Sequence, residues 1–355
     1  MTRELLAVFE MPRLSRRTLR VVGAIAGIAI SSRTSIAQEA DAPPFAAPGR
    51  LVDIGGWRLH LHCTGAAHPG QPTVILEAGL GDFSVEWSLV QPRISGFARV
   101  CSYDRAGDGW SDIGPYPRTL HQIVYELHTL LDRAGERPPY LLVGHSYGGW
   151  LAQLYQSSYP ADVVGMVLVE PGADDPKRMV ADGRVVPSSS LATGRAVPSI
   201  KTSGPLRIDD IPPEALSQIR AGLAAARQHA NDPPRNKLPP DAQRMRAWAS
   251  GRIGHVVAAV NPFEHEELAA LRSRPRAELQ SLDSLPLIVI TRGRPETGPD
   301  AAALEQEHKQ DLAVIAGRSR RGRNIIAANS GHHVQLDEPE LVINAIRDVI
   351  TLLRK

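Results

Sequence analysis

Tyr140-Leu141-Leu142-Val143-Gly144-His145-Ser146-Tyr147-Gly148-Gly149, running on into Trp150-Leu151-Ala152-Gln153-Leu154-Tyr155, decides the fold of this chain. The uninterrupted apolar run 140–143 reads as a strand covered on both faces. After Gly149, the apolar residues Trp150, Leu151, Leu154 and Tyr155 fall at helical spacing. Ser146 is therefore set at the apex of a sharp turn from strand to helix. The flanking glycines permit the close approach such a turn needs, and the helix N-terminus favours negative charge developing beside the serine. G-x-S-x-G in this context is a nucleophile elbow. Ser146 is the candidate nucleophile, and His145 is read as a side wall of the turn.

Outward from the elbow, segments 58–62, 73–77, 99–103 and 164–169 also read as strands, with helices over 119–134 and 149–158. Alternating strands and helices predict a mainly parallel sheet with helices on both faces. Residues 172–284 break the rhythm, with 12 prolines and helix candidates at 211–230, 240–260 and 262–272, each opening at or near a proline. Asp209, Asp210 and Asn261 are candidate helix caps there. Strand patterns return at 285–291 and 324–328, and Asp337 is placed as the cap of a closing helix through Leu353, with Leu341, Ala345, Val349 and Leu352 on one face. The chain is thus expected to divide into a leader, 1–37; a core, 38–171 and 285–355; and a helical insertion, 172–284.

The 355 residues carry 40 Lys+Arg against 38 Asp+Glu, a net charge of +2. The excess lies at the front: residues 1–37 hold six arginines and two glutamates, which leaves −2 for the remainder. There Ser15-Arg16-Arg17-Thr18-Leu19-Arg20 precedes an apolar run 21–30, and Ser35-Ile36-Ala37 follows. A charged stretch, a short apolar run and a small-x-small site make a signal peptide, and the paired arginines resemble a twin-arginine export signal. Cleavage after Ala37 and a periplasmic or secreted product are expected. Ten apolar residues are too few to span a bilayer, so no stable membrane insertion is expected. With the arginine excess confined to the leader, and no basic patch with interleaved aromatics, no nucleic-acid partner is expected either.

Three stretches carry a likeness to a known family. They are 144–149 above, Tyr103-Asp104-Arg105-Ala106-Gly107-Asp108-Gly109-Trp110-Ser111, and Ser330-Gly331-His332. With them the chain resembles the α/β-hydrolase superfamily over nearly all of 49–355 outside the insertion. The resemblance implies an eight-stranded, mostly parallel sheet with a helical cap inserted after strand 6. It also implies the chain order nucleophile, acid, histidine. A serine hydroxyl needs a base oriented by a third group, and His332, directly after Gly331, takes the base position; His333 is the neighbouring alternative. For the acid, the preference falls on Glu170. It ends an unbroken apolar strand, where a carboxylate is costly without a partner. Glu296, after strand 7, is the alternative, with Asp300 and Asp283 behind it. The oxyanion-hole amides are assigned to Leu80, in Glu77-Ala78-Gly79-Leu80-Gly81-Asp82, and to Tyr147. Asp104 and Arg105 are read as structural, pairing near the end of the 99–103 strand to hold the loop, and Trp110 is placed at the entrance. In this fold Cys63 and Cys101 fall on neighbouring strands, which leaves a disulfide and two buried thiols both open. The histidines are scattered, and neither cysteine sits at ligand spacing, so no metal and no cofactor are expected.

The resulting expectation is a serine hydrolase acting on a small-molecule carboxylic ester. A peptidase or amidase of the proline-iminopeptidase kind is an alternative within hydrolases. A lyase or ligand-binding member of the same fold is an alternative outside them. A serine at the elbow disfavours the dehalogenase and epoxide-hydrolase chemistries, which use aspartate there.

Overall fold

The computed structural model describes residues 45–173, 177–179, 185–187, 202, 204–261, 263–272, 282, 284–296 and 301–354. Residues 1–37, read above as a leader, and Asp283 and Asp300 lie outside the described residues. In chain order the strands are β1 (Arg50–Asp53), β2 (Arg58–Thr64), β3 (Thr73–Glu77), β4 (Val100–Tyr103), β5 (Tyr140–His145), β6 (Val163–Val169), β7 (Lys177–Met179), β8 (Val185–Pro187), β9 (Leu287–Arg292) and β10 (Gly322–Ala327). The α-helices are α1 (Gln91–Ile94), α2 (Leu120–Ala134), α3 (Tyr147–Ser158), α4 (Pro213–Gln228), α5 (Pro240–Ser250), α6 (Ile253–Ala258), α7 (Glu264–Arg272), α8 (Ala301–Ala316), α9 (Val334–Asp337) and α10 (Pro339–Leu353).

Eight strands form one sheet in the order β1-β2-β4-β3-β5-β6-β9-β10, and β7 and β8 form a separate hairpin. The pairs β1–β2 and β2–β4 are antiparallel; all pairs from β4 to β10 are parallel. The eight-stranded, mostly parallel sheet read from the strand pattern and the resemblance is thus present.

Period-two alternation in the central strands feeds two cores. Ile75, Leu142, Leu168 and Val289 join α2, α3 and α8 on one side. Val74, Leu76, Leu141, Val143, Val167, Val169, Ile288 and Ile290 join α1 and α10 on the other. That is why these strands are apolar at every position: both faces are covered. Thr119 caps α2, its hydroxyl accepting from Gln122 N–H at 3.1 Å, and Gly135 closes it in the left-handed conformation at φ 76°. The boundaries read for α2 from sequence therefore hold. No helix among the described residues is long and apolar enough to cross a membrane.

Helices α4 to α7 lie between β6 and β9, so the cap follows the sixth strand. The stretch 240–260 is two helices, broken at Gly251-Arg252. Trp110 is not at an entrance. It is buried in the seam between core and inserted helices, its ring centroid 5.7 Å from that of Trp248 and packed beside Phe83, Leu238 and Leu336. Asp337 does not cap the closing helix, which begins at Pro339 after Glu338. Its carboxylate instead accepts from Gly331 N–H at 2.9 Å and pairs with Lys237. Cys63 and Cys101 stand opposite each other in the β2–β4 register and are joined by a disulfide.

Candidate active site

Ser146 sits between β5 and α3 at φ 53°, ψ −119°, one of only two non-glycine residues with positive φ among the described residues. An L-residue there stores backbone strain that the surroundings must impose. Three backbone hydrogen bonds do so: Ser146 N–H to Val169 O at 3.1 Å, and Gly149 and Gly172 N–H to Ser146 O at 2.8 and 3.1 Å. The glycines have a steric reason. A Cβ on Gly144 would meet Gly148 O at 2.3 Å, and one on Gly148 would meet Glu77 O at 2.4 Å. The second positive φ belongs to Glu170, at 47°, directly after β6.

The Glu170 side chain is fully buried and its two oxygens are each doubly engaged. Oε1 accepts from His308 Nε2 at 2.8 Å and Arg292 N–H at 3.2 Å. Oε2 accepts from Arg292 Nη1 at 3.0 Å and faces His332 Nδ1 at 3.3 Å. Burial works to raise this carboxyl, but the hydrogen bonds from His308 and His332 outweigh it and hold the group far below the usual carboxylate range. Glu296, the alternative acid, has a side chain 69% exposed and is tied to Arg292 at 3.2 Å.

His332 is brought to the elbow by a tightly held loop. Glu338 accepts from Asn329 N–H at 2.9 Å and from the Ser330 hydroxyl at 2.6 Å, and Asp337 takes Gly331 N–H. The carbonyl of His332 accepts from His145 Nε2 at 2.9 Å, and the two imidazole centroids are 4.9 Å apart. His145 is thus more than a wall: it spans from the elbow to the His332 loop. Burial, then the neighbouring His332, pushes the His145 imidazole down to about 4. His333 points away from this contact toward Asp82, at 3.9 Å, and burial holds it well below the ordinary histidine value.

Leu80 lies in the tight turn closed by Asp82 N–H to Gly79 O at 3.1 Å, with Gly81 at φ 68°. Neither Leu80 N–H nor Tyr147 N–H donates in any turn or loop hydrogen bond among the described residues. Tyr147 opens α3, where a first-turn amide has no intrahelical acceptor. Arg105 fixes the Leu80 loop from beneath. Its guanidinium donates to Glu77 Oε1 and Ala78 O at 2.7 Å each, to Gly79 O, and to Asp82 O at 3.1 Å. Burial pushes the Glu77 carboxyl up against the pull of Arg105. Asp104 and Arg105 are structural, yet they do not pair with each other. Asp104 binds His60 at 2.9 Å and accepts from Ser84 and Trp110 N–H.

Asp82 links this loop to the inserted helices. It meets Arg235 at 2.9 Å and Arg246 at 3.0 Å, and Arg246 continues to Glu86. Burial alone would raise Asp82, but Arg235 and then Arg246 hold it well below the usual range. Glu86 is pushed up to about 7 by burial, against Arg246.

Sequence reasoning did not find Asp82, Arg235, Arg246, Arg292 or His308. Asp82 closes the Leu80 stretch quoted above, but no role could be read for it or the others there, because their main partners come from distant parts of the chain. Among the described residues, one group of metal-type side chains lies close together, Cys63, Cys101 and Glu136. Its sulfurs are joined in the disulfide, and Glu136 is paired with Arg99. That leaves no thiolate pair to hold an ion.

A model of the alpha/beta hydrolase family matches residues 59–345. An AB hydrolase superfamily protein of Gibberella zeae is 27% identical over 299 residues, 81% of this chain and 88% of that protein. Among solved structures, an esterase from Thermogutta terrifontis is similar with a TM-score of 0.54 and 18% identity, covering 84% of this chain and 95% of that one. A meta-cleavage product hydrolase from Pseudomonas fluorescens IP01 is similar with the same TM-score and identity, over 85% of this chain and 98% of that one. The sheet order, the strained serine turn after β5 and a family match spanning most of the length lead to one assignment: the chain belongs to the alpha/beta hydrolase family.

Proposed function

We propose that this protein is a serine hydrolase that cleaves a carboxylic ester of a small molecule through an acyl-enzyme. The observations that carry the reading are the strained Ser146 at the head of α3 and, on the loop that His145 ties to the elbow, an imidazole whose Nδ1 faces a buried carboxylate. In this reading the Ser146 hydroxyl attacks the carbonyl carbon and its proton passes to His332 Nε2. Glu170 orients the ring through Nδ1 and stabilises the imidazolium. The Leu80 and Tyr147 amides donate to the oxyanion. Collapse expels the alcohol, which takes the proton back from His332. Water, deprotonated by the same imidazole, then releases the acid and restores Ser146.

Export is part of the proposal. The leader sequence supports it, and so does the Cys63–Cys101 disulfide, since such bonds persist in oxidising compartments. N-terminal sequencing of the secreted fraction is expected to begin at Gln38.

The test of the chemistry is a panel of chromogenic esters of rising acyl length, run beside aminoacyl amides and carbamates, on wild type and Ser146→Ala. Ester turnover lost in the variant is the expected result. Turnover that survives in Ser146→Ala overturns the serine mechanism, and amide turnover exceeding ester turnover transfers the assignment to an amidase or peptidase.

A further inference from the structure

The acid assigned to His332 has a second imidazole on it. His308, on α8, places Nε2 2.8 Å from Glu170 Oε1, while His332 Nδ1 is 3.3 Å from Oε2. The contact to His308 is the shorter of the two. Two imidazoles and one guanidinium therefore converge on a single buried carboxylate. Resting on the reading above, we propose that His308 is a positioning residue: it anchors Glu170 through the oxygen that His332 leaves free, and the two imidazoles compete across that carboxylate for one proton.

Charge counting gives the competition its physical basis. Arg292 contacts Glu170 at 3.0 Å, Glu296 at 3.2 Å and Glu305 at 2.9 Å, and Lys309 contacts Glu305 at 3.4 Å. With both histidines neutral, these three carboxylates and two cations sum to −1. One imidazolium neutralises the set, and a second on the same carboxylate is disfavoured by the like charge of the first. Asp311 stands one turn further along α8, and β7, which carries Lys177 and Arg178, packs against that helix.

Catalysis needs the single proton on His332 at the moment the serine attacks. When His308 is neutral it acts as a hydrogen-bond donor that fixes the carboxylate plane, leaving the negative charge of Glu170 for the His332 imidazolium. When His308 is protonated it has consumed that charge, and proton transfer from Ser146 loses its counter-ion. Protonation of His308 therefore adds to the acid side of the activity profile.

His308→Gln separates donor from proton, because the amide nitrogen can replace Nε2 but does not titrate. In full-length enzyme, the acid limb of kcat/KM is expected to move to lower pH by about 0.5 unit or more in His308→Gln, the scale of coupled sites. On the neutral plateau kcat is expected to stay within about threefold of wild type, because the donor is kept. His308→Ala, which removes the donor, is expected to lower the plateau by roughly tenfold or more, as misplaced catalytic groups do.

The second measurement is the NMR titration of the His332 imidazole in Ser146→Ala, with and without His308→Gln. There the His332 midpoint is expected to rise when His308 is replaced, because the competing charge is gone. Opposite shifts in activity and in His332 protonation are a signature that a merely structural residue does not give. An unmoved acid limb in active His308→Gln overturns the proposal, as does an unmoved His332 midpoint. If Ser146→Ala keeps its ester turnover, the serine reading fails on that result, and the NMR comparison still decides whether the histidines are coupled.

Discussion

Nε2 of His145 lies 2.9 Å from the backbone carbonyl of His332, so the residue before the elbow serine also anchors the loop after β10. His145→Ala removes that anchor and is expected to lower kcat by roughly tenfold to a hundredfold, the cost of a base displaced by about 1 Å. His145→Gln keeps a donor near Nε2 and is expected to recover most of the rate. Equal losses in both variants would show that the bond to His332 is not what positions the base.

The same histidine carries a stability signature. Its folded value is depressed to about 4 from 6.5, burial being the larger cause. Between those limits the unfolded chain binds more protons than the folded one, so this contribution is intact above pH 6.5 and is lost as pH falls toward 4. Glu86, raised to about 7, works in the opposite sense over much of this window, so the clean comparison is a difference. The stability gap between wild type and His145→Gln, read from urea melts, is expected to narrow as pH falls. A gap that stays constant would mean His145 titrates alike in both states.

The choice of acid is open to direct kinetics. Glu170→Gln is expected to lower kcat by about 10³–10⁴, as loss of the orienting carboxylate does in such triads. Glu296→Gln, at a side chain 69% exposed, is expected to stay within about twofold, as a solvated partner should. The reverse ranking would move the acid to the loop after β9.

Arg105 holds four acceptors around the Leu80 turn. Arg105→Met leaves Glu77 buried without its cation and is expected to cost about 3–5 kcal/mol in denaturant melts. Adding Glu77→Gln to that variant is expected to restore part of the loss, since the stranded charge is then gone. A double variant no more stable than Arg105→Met would place the whole effect in the lost loop carbonyl bonds.

The Cys63–Cys101 bond closes a sequence separation of 38 residues. Replacing both cysteines by serine is expected to lower stability by about 3–4 kcal/mol in the loop-entropy account. Wild type in reductant is expected to melt like the double variant; coincident melts of oxidised and reduced wild type would mean the thiols stay apart.

What sequence alone could reach follows the range of the interactions. Tyr140–His145 and the glycines around Ser146 specify a local turn, and a local turn can be read from neighbours in the chain. Apolar continuity likewise marked β6 and picked out Glu170 at its end, because a carboxylate there breaks the pattern. His308 gave no such signal: it stands in an unremarkable charged stretch, and its meaning arises only when α8 packs beside β9. Arg235 and Arg246 are of the same kind, ordinary arginines until Asp82 is placed before them. Trp110 and Asp337 were misassigned for a related reason: an aromatic beside a loop and an acid before a helix have generic readings, and long-range packing against Trp248 and Gly331 overrode both.

The arginine pair also limits what can be exchanged between relatives. Segments lying between β6 and β9 are natural targets for transplantation when a new selectivity is wanted. In this protein Arg235 and Arg246 come from that segment, while Asp82 and Glu86, which they neutralise, come from the sheet's own loops. A transplant that omits the arginines strands two carboxylates at the seam, one of them in the turn that carries Leu80. A viable chimera must therefore be cut as a set, with positions 82 and 86 travelling with their guanidinium partners.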